Sequence, residues 1–111
     1  MDGLRAVACF VVKRAIFDMQ TNGVGGSWQT AKQTHRDYLK AVVWLASKRA
    51  SIYFDAAGVE QEEVLYAISW ADYATNILSG PKVYEQLTFT ERKVLSISLD
   101  KLGRRFGGKH V

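Results

Sequence analysis

The chain has 111 residues, 48% of them hydrophobic, which suits one domain whose core needs neither metal nor disulfide. Its formal net charge is +4 and its pI about 9.3, a balance that favours anionic partners and also keeps a protein soluble. The single cysteine, Cys9, excludes an intramolecular disulfide and any multi-cysteine zinc site.

Asp2 can cap a first helix running to about Gln20. Leu4, Val7, Ala8, Val11, Ala15 and Met19 recur at spacings of three and four, the mark of a buried helical stripe. Cys9 lies in the apolar run Ala6 to Val12 and reads as a buried structural thiol in a cytosolic protein. That run is too short to cross a bilayer. The helical period continues through Ile16 and Met19, unlike a signal peptide. Thr21-Asn22-Gly23 ends the helix, because Asn and Gly tolerate the left-handed conformation found there. Val24-Gly25-Gly26 is then a connection. It follows a helix and lacks the Lys-Ser/Thr of a phosphate-binding loop, so it is read as a linker.

A second helix is expected from about Gln29 to Ala46, with Tyr38, Val42 and Leu45 on one side. Lys32, Arg36 and Lys40 stand four residues apart and form a ridge, with Trp44 one further step along it. A basic ridge ending in an aromatic can grip a phosphodiester backbone, or it can be a solvated helix face. Ser47 is the expected N-cap of a short helix, Lys48 to Ala57, that buries Ala50, Tyr53, Phe54 and Ala57. Gly58 closes it.

Val59 to Ser79 reads as the longest helix, stopped by Gly80-Pro81. Glu60, Glu62 and Glu63 occupy its first turn, where the helix dipole favours negative charge. It has two apolar stripes. Val64, Ala67, Ile68, Ala71, Ala74 and Leu78 form one; Tyr66, Trp70, Tyr73 and Ile77 form the other. Such a helix is central in a bundle or spends one face on a partner, and Tyr66, Trp70 and Tyr73 are the candidate partner interface. Residues 82–87 read as extended or irregular. Thr88 and Glu91 match a capping box for a last helix to about Leu102, with Val94, Leu95, Leu99 and Leu102 apolar. Gly103 ends that helix and begins a short basic tail, 103–111.

No strand alternation, repeat or low-complexity block is present. The expected fold is therefore all-α: one domain, a compact bundle of about five helices with a helix-turn-helix-like unit around Gly58. Residues 58–80 carry four acidic and no basic side chains, whereas residues 92–111 carry six basic and one acidic. This predicts a polarised molecule that docks on an anionic surface through its C-terminal end.

Catalytic and metal chemistry find little footing. His35 and His110 are far apart and neither has a ligand at helical spacing. The three glutamates are a helix-start cluster, and Ser27, Ser47 and Ser69 lack a nucleophile elbow. No enzyme activity, cofactor, metal or small-molecule substrate is expected. The stretch Lys48 to Ala57, Gly58 and the following helix has the outline of a helix-turn-helix unit. Phe54 stands where a small residue usually lets the two helices cross. The glutamates open the second helix where DNA readers place Arg, Asn, Gln or Ser, so entry of that helix into a major groove is disfavoured.

The run Arg5-Ala6-Val7 through Ala15-Ile16-Phe17-Asp18, then Trp44-Leu45-Ala46-Ser47, Phe54 and Ala57-Gly58-Val59 with Val64, resembles a group of small helical proteins encoded by bacteriophages and prophages. The resemblance spans about residues 5–68. It departs at Asp55 and Ala56, where that pattern often has a cysteine shortly before the Ala-Gly. It implies a phage setting, and so the cytoplasm of a bacterial host, without implying a mechanism. Two functions follow from the residues. The first is a regulator, including a transcription regulator, that contacts nucleic acid through Lys32, Arg36, Lys40, Lys48, Arg49, Arg104 and Arg105. The second is an inhibitor or adaptor that binds a host complex, such as RNA polymerase or a CRISPR-type antiviral defence machine. A homodimer can accompany either.

Overall fold

The structure is a computed structural model that describes residues 2–22 and 28–107. The described residues contain seven helices and no strand: α1 (Asp2–Asn22), α2 (Trp28–Leu45), α3 (Lys48–Ala57), α4 (Gln61–Ala67), α5 (Trp70–Ser79), α6 (Pro81–Gln86) and α7 (Phe89–Phe106). The all-α fold is as expected, with two more helices than anticipated. The Val24-Gly25-Gly26 connection lies outside the described residues. α1 packs along α2 and α3, α4 and α5 pack against α7, and α2 joins the two groups by touching both α5 and α7. The core runs through Met19, Val42, Leu45, Phe54, Leu65, Trp70, Ile77, Leu95 and Leu102.

The first extra helix comes from a break. The expected single helix from Val59 to Ser79 is instead α4 and α5, divided at Ile68-Ser69. In one continuous helix Leu65 and Trp70 would project about 140° apart and could not share a core. Ser69 takes a left-handed conformation, φ 57°, which resets the helical phase. Leu65 is then 2% exposed and Trp70 fully buried, followed by Ala74 and Ile77. A left-handed serine costs about 1 kcal/mol, less than exposing an indole or a leucine to water. The second extra helix is α6, over residues read as extended. Pro81 opens it at a position where a missing N–H costs nothing. Its C-terminal end is held by Arg92, whose guanidinium donates to the Tyr84 carbonyl at 2.9 Å and lies over the Tyr84 ring at 4.1 Å.

The last helix is also longer than expected. The Thr88–Glu91 capping box is present, with Thr88 N–H donating to Glu91 at 2.7 Å and Glu91 N–H donating to Thr88 at 3.1 Å. α7 then passes through Gly103 and stops at Gly107. An added Cβ at Gly103 would meet open space, so nothing there needs a glycine to turn the chain. Arg104 and Arg105 consequently belong to the final turn of a helix and not to a tail. Cations in a last turn suit the negative end of the helix dipole.

α1 corrects the sequence reading in another way. Ala8, Val12 and Met19 are buried, but Leu4 and Val7 of the expected stripe are exposed. The helix is apolar on more than one side, so periodicity alone does not choose the buried face. Val12 and Met19 sit where α2 and α3 pack, and these decide it.

The junction between α2 and α3 is densely hydrogen-bonded. A helix leaves its last four carbonyls without helical partners. Here each finds one. The Trp70 indole N–H donates to Val42 at 2.8 Å, and Ala46 N–H donates to Val43 at 3.2 Å. Trp44 accepts from Ser47 N–H at 3.0 Å and from the Ser47 hydroxyl at 2.7 Å. The Gln61 amide donates to Leu45 at 2.9 Å and to Ser47 at 3.1 Å. Replacing Trp70 by Phe keeps an aromatic ring but strands the Val42 carbonyl in the core. Trp70→Phe is expected to lower the unfolding free energy by about 1–3 kcal/mol in urea titrations, with an unchanged denaturant slope.

Candidate nucleic-acid interface

Arg36 and Lys40 lie one turn apart on α2, both exposed, as the ridge required. The side chain of Lys32, the third member, lies outside the described residues. Trp44 follows one turn later and is half-buried. Two residues beyond the end of α2, Ser47 caps α3 by accepting from Ala50 N–H at 3.2 Å. The cap sets Lys48 and Arg49 in the first turn of α3, both exposed. Cations are unfavourable at that end of a helix, so the arrangement concentrates positive potential instead of relieving it.

The two basic segments meet through aromatic rings. Tyr53 stands one turn after Arg49, and its ring centre is 5.6 Å from that of Trp44, tilted by 54°. The order along the surface is therefore Arg36, Lys40, the Trp44–Tyr53 pair, then Arg49, with Lys48 beside it. None of these four cations has an ion-pair or hydrogen-bond partner among the described residues. Tyr53 had been assigned to the core of its helix. Its spacing alone could not show that its ring would lean on Trp44 at a half-exposed edge.

The C-terminal arginines do not join this surface. Arg105 donates to Glu60, and to Glu62 at 3.1 Å and Glu63 at 3.3 Å. Arg104 pairs with Asp100 at 2.7 Å on its own helix. The acidic turn and the basic end of the chain are thus neighbours that offset each other, not opposite poles of the molecule. The reason is tertiary: α7 packs against α4, and the final turn of α7 reaches the three carboxylates. The Glu60 carboxyl is held below the ordinary range, first by the Arg105 hydrogen bond and then by the Glu63 N–H that it caps at 2.7 Å. The Arg105 guanidinium is correspondingly pushed up, chiefly by Glu60 and then by Glu62.

The turn around Gly58 has definite geometry. Gly58 is left-handed, φ 77°, and Val59 N–H donates to Phe54 at 3.1 Å. Arg5 of α1 reaches over the turn and donates to the Ala57 carbonyl at 3.2 Å. Its positive φ is what calls for glycine at Gly58; an added Cβ would meet only the mobile end of the Arg5 side chain, at 2.9 Å. The helix that follows is only seven residues long and is anchored by Gln61 to the α2–α3 junction.

The candidate partner stripe is split by the break at Ser69. Trp70 is fully buried and bonded to Val42. Tyr73 is half-buried, 6.2 Å from the Tyr38 ring, and its carbonyl accepts from the Tyr38 hydroxyl at 3.4 Å. Burial, then the nearby Tyr73, pushes the Tyr38 phenol up. Only Tyr66 remains largely exposed, stacked on Phe106 at 4.3 Å. A groove of about 870 Å³ between α4–α5 and α7 is lined by Leu65, Leu99 and Leu102, with Asp72 as its one carboxylate. The described residues include no group of three side chains able to hold a metal ion. His110 and the side chain of His35 lie outside them. No helix among the described residues is long and apolar enough to cross a membrane. Compared with protein-family models, with curated proteins and with solved structures, the chain matches none of them.

The Glu60 carboxyl is depressed in the folded state. Its contribution to stability is therefore full above the unfolded value near 4.3 and is lost as pH falls through the lower folded value. The melting temperature should fall as pH drops below about 4, and Arg105→Gln should flatten that dependence. Melts at a series of pH values check this, and identical slopes in both proteins would contradict it.

Proposed function

We propose that this is a non-enzymatic regulatory protein of phage type that associates with nucleic acid through its backbone phosphates. The single observation that carries the reading is the Trp44–Tyr53 ring pair set between exposed cations of two helices that have no partner among the described residues. Arg36, Lys40, Lys48 and Arg49 supply charge to phosphates, and the ring edges supply a surface on which a base or sugar can rest. The phage setting, and with it the bacterial host cytoplasm, rests on the motif resemblance over residues 5–68. Arg105, shared among Glu60, Glu62 and Glu63, drops out of the contact set, while Arg104, held only by a weak exposed pair with Asp100, stays at its margin.

The same reading disfavours sequence recognition by the Gly58 unit. α4 spans only about 10 Å and opens with glutamates, so it is a poor probe of a major groove. Phosphate contact without base readout fits a protein that coats or bends nucleic acid or assists another factor on it. The alternative of an inhibitor of a host complex drew on Tyr66, Trp70 and Tyr73 or on the acidic turn. With Trp70 inside the core the stripe is reduced mainly to Tyr66, and the acidic turn is engaged by Arg105.

Fluorescence anisotropy with a labelled duplex tests the proposal. Four phosphate contacts predict that log K falls against log salt with a slope of about −3 to −4. Lys40→Ala should reduce the slope by about one, with a similar loss for different sequences. Absence of binding at low salt would overturn the reading.

A further inference from the structure

We infer that α1 is the interface of a homodimer, in which its outward apolar seam meets the same seam of a second copy. The seam consists of Val7, Phe10 and Phe17, which are 58%, 67% and 59% exposed, with Leu4 beside Val7 at 64%. Phe10 and Phe17 stand two residues before Val12 and Met19, so they point about 200° away from the buried stripe. α1 packs on α2 and α3 through that stripe, and no described element covers the opposite side.

Two features argue that a second copy is the occupant. The first is the spacing. Gly3, Val7, Phe10, Arg14, Phe17 and Thr21 follow alternating steps of four and three, the repeat of a two-helix seam. Apolar residues hold three of the four central places. Lys13 and Asp18 stand on opposite flanks, five residues apart, where paired helices exchange ion pairs. Lys13 has no ion-pair partner among the described residues. Among the described residues Asp18 has only an exposed contact with Arg14 at 3.3 Å, which is weak and easily rearranged. The flanking charges of the face are thus complementary to those of a second copy, as a two-fold interface requires, with the exposed Arg14 guanidinium reaching out of the seam to its own Asp18.

The second feature is area. Two phenylalanines and the neighbouring aliphatics, with the stems of Lys13 and Arg14, would bury on the order of 1,000 Å² across two copies. This reaches the lower bound for a specific interface, and the patch on one copy is already as large as a monomer ordinarily exposes. Pairing there would leave Arg36, Lys40, Lys48 and Arg49 on other helices, two sets per dimer. The inference does not depend on nucleic-acid binding.

Light scattering on the purified full chain is the test. The wild type is expected at twice the 12.4 kDa chain mass. Phe10→Asp and Phe17→Asp should each halve that mass without loss of helical circular dichroism. Phe89→Asp, at an exposed phenylalanine on α7, should leave the dimer intact and serves as the control. A wild type that scatters as a monomer overturns the inference, as does a dimer that survives both α1 substitutions. A monomer that sediments with vesicles containing anionic lipid would also overturn it and assign the seam to a membrane surface.

Discussion

The obligation to satisfy the last four carbonyls of α2 organises much of this protein. Those groups cannot bond within their own helix, and Val42 and Leu45 are fully buried residues with no water to turn to. The fold supplies a turn at Ala46-Ser47 for the middle two and imports distant side chains for the outer two. Trp70 must come inward to reach Val42, which forces the break at Ser69. Gln61 must reach Leu45, which brings the acidic turn close to the start of α3. The kink in the second half of the chain and the position of the glutamates are linked to one helix terminus.

That constraint also shapes the charged surface. The acidic turn, anchored through Gln61 at the α2–α3 junction, gathers three carboxylates. Arg105 arrives from α7 and offsets part of their charge. Arg105 is thereby engaged by its own protein's carboxylates. Among the cations without a partner in the described residues, those on α2 and at the start of α3 face solvent around the Trp44–Tyr53 pair. The two ends of the charge distribution are thus separated by pairing, not by distance along the chain.

Much was legible in the residues themselves. Ser47, Lys48–Ala57 and Gly58 emerged with their expected boundaries, because cap, amphipathic face and left-handed terminator are all local. The Thr88–Glu91 box was equally plain. The candidate site was legible only in part. Arg36, Lys40, Lys48 and Arg49 are exposed as anticipated. Arg105 could not be placed, since its partners are more than 40 residues away in sequence. Tyr53 could not be told from a core residue by spacing. α1 misled because a helix with apolar residues on opposite faces has no unique buried stripe.

The sequence by itself determined that this chain is helical and where most of its helices start. Those properties depend on hydrogen bonds and side-chain periods within a few residues. Only the tertiary structure decided which face of α1 goes inward, that Val59 to Ser79 breaks in two, and which arginines remain without partners. Each of these depends on contacts between segments distant along the chain. A buried carbonyl at the end of one helix could select the indole that reached it only after the helices had packed.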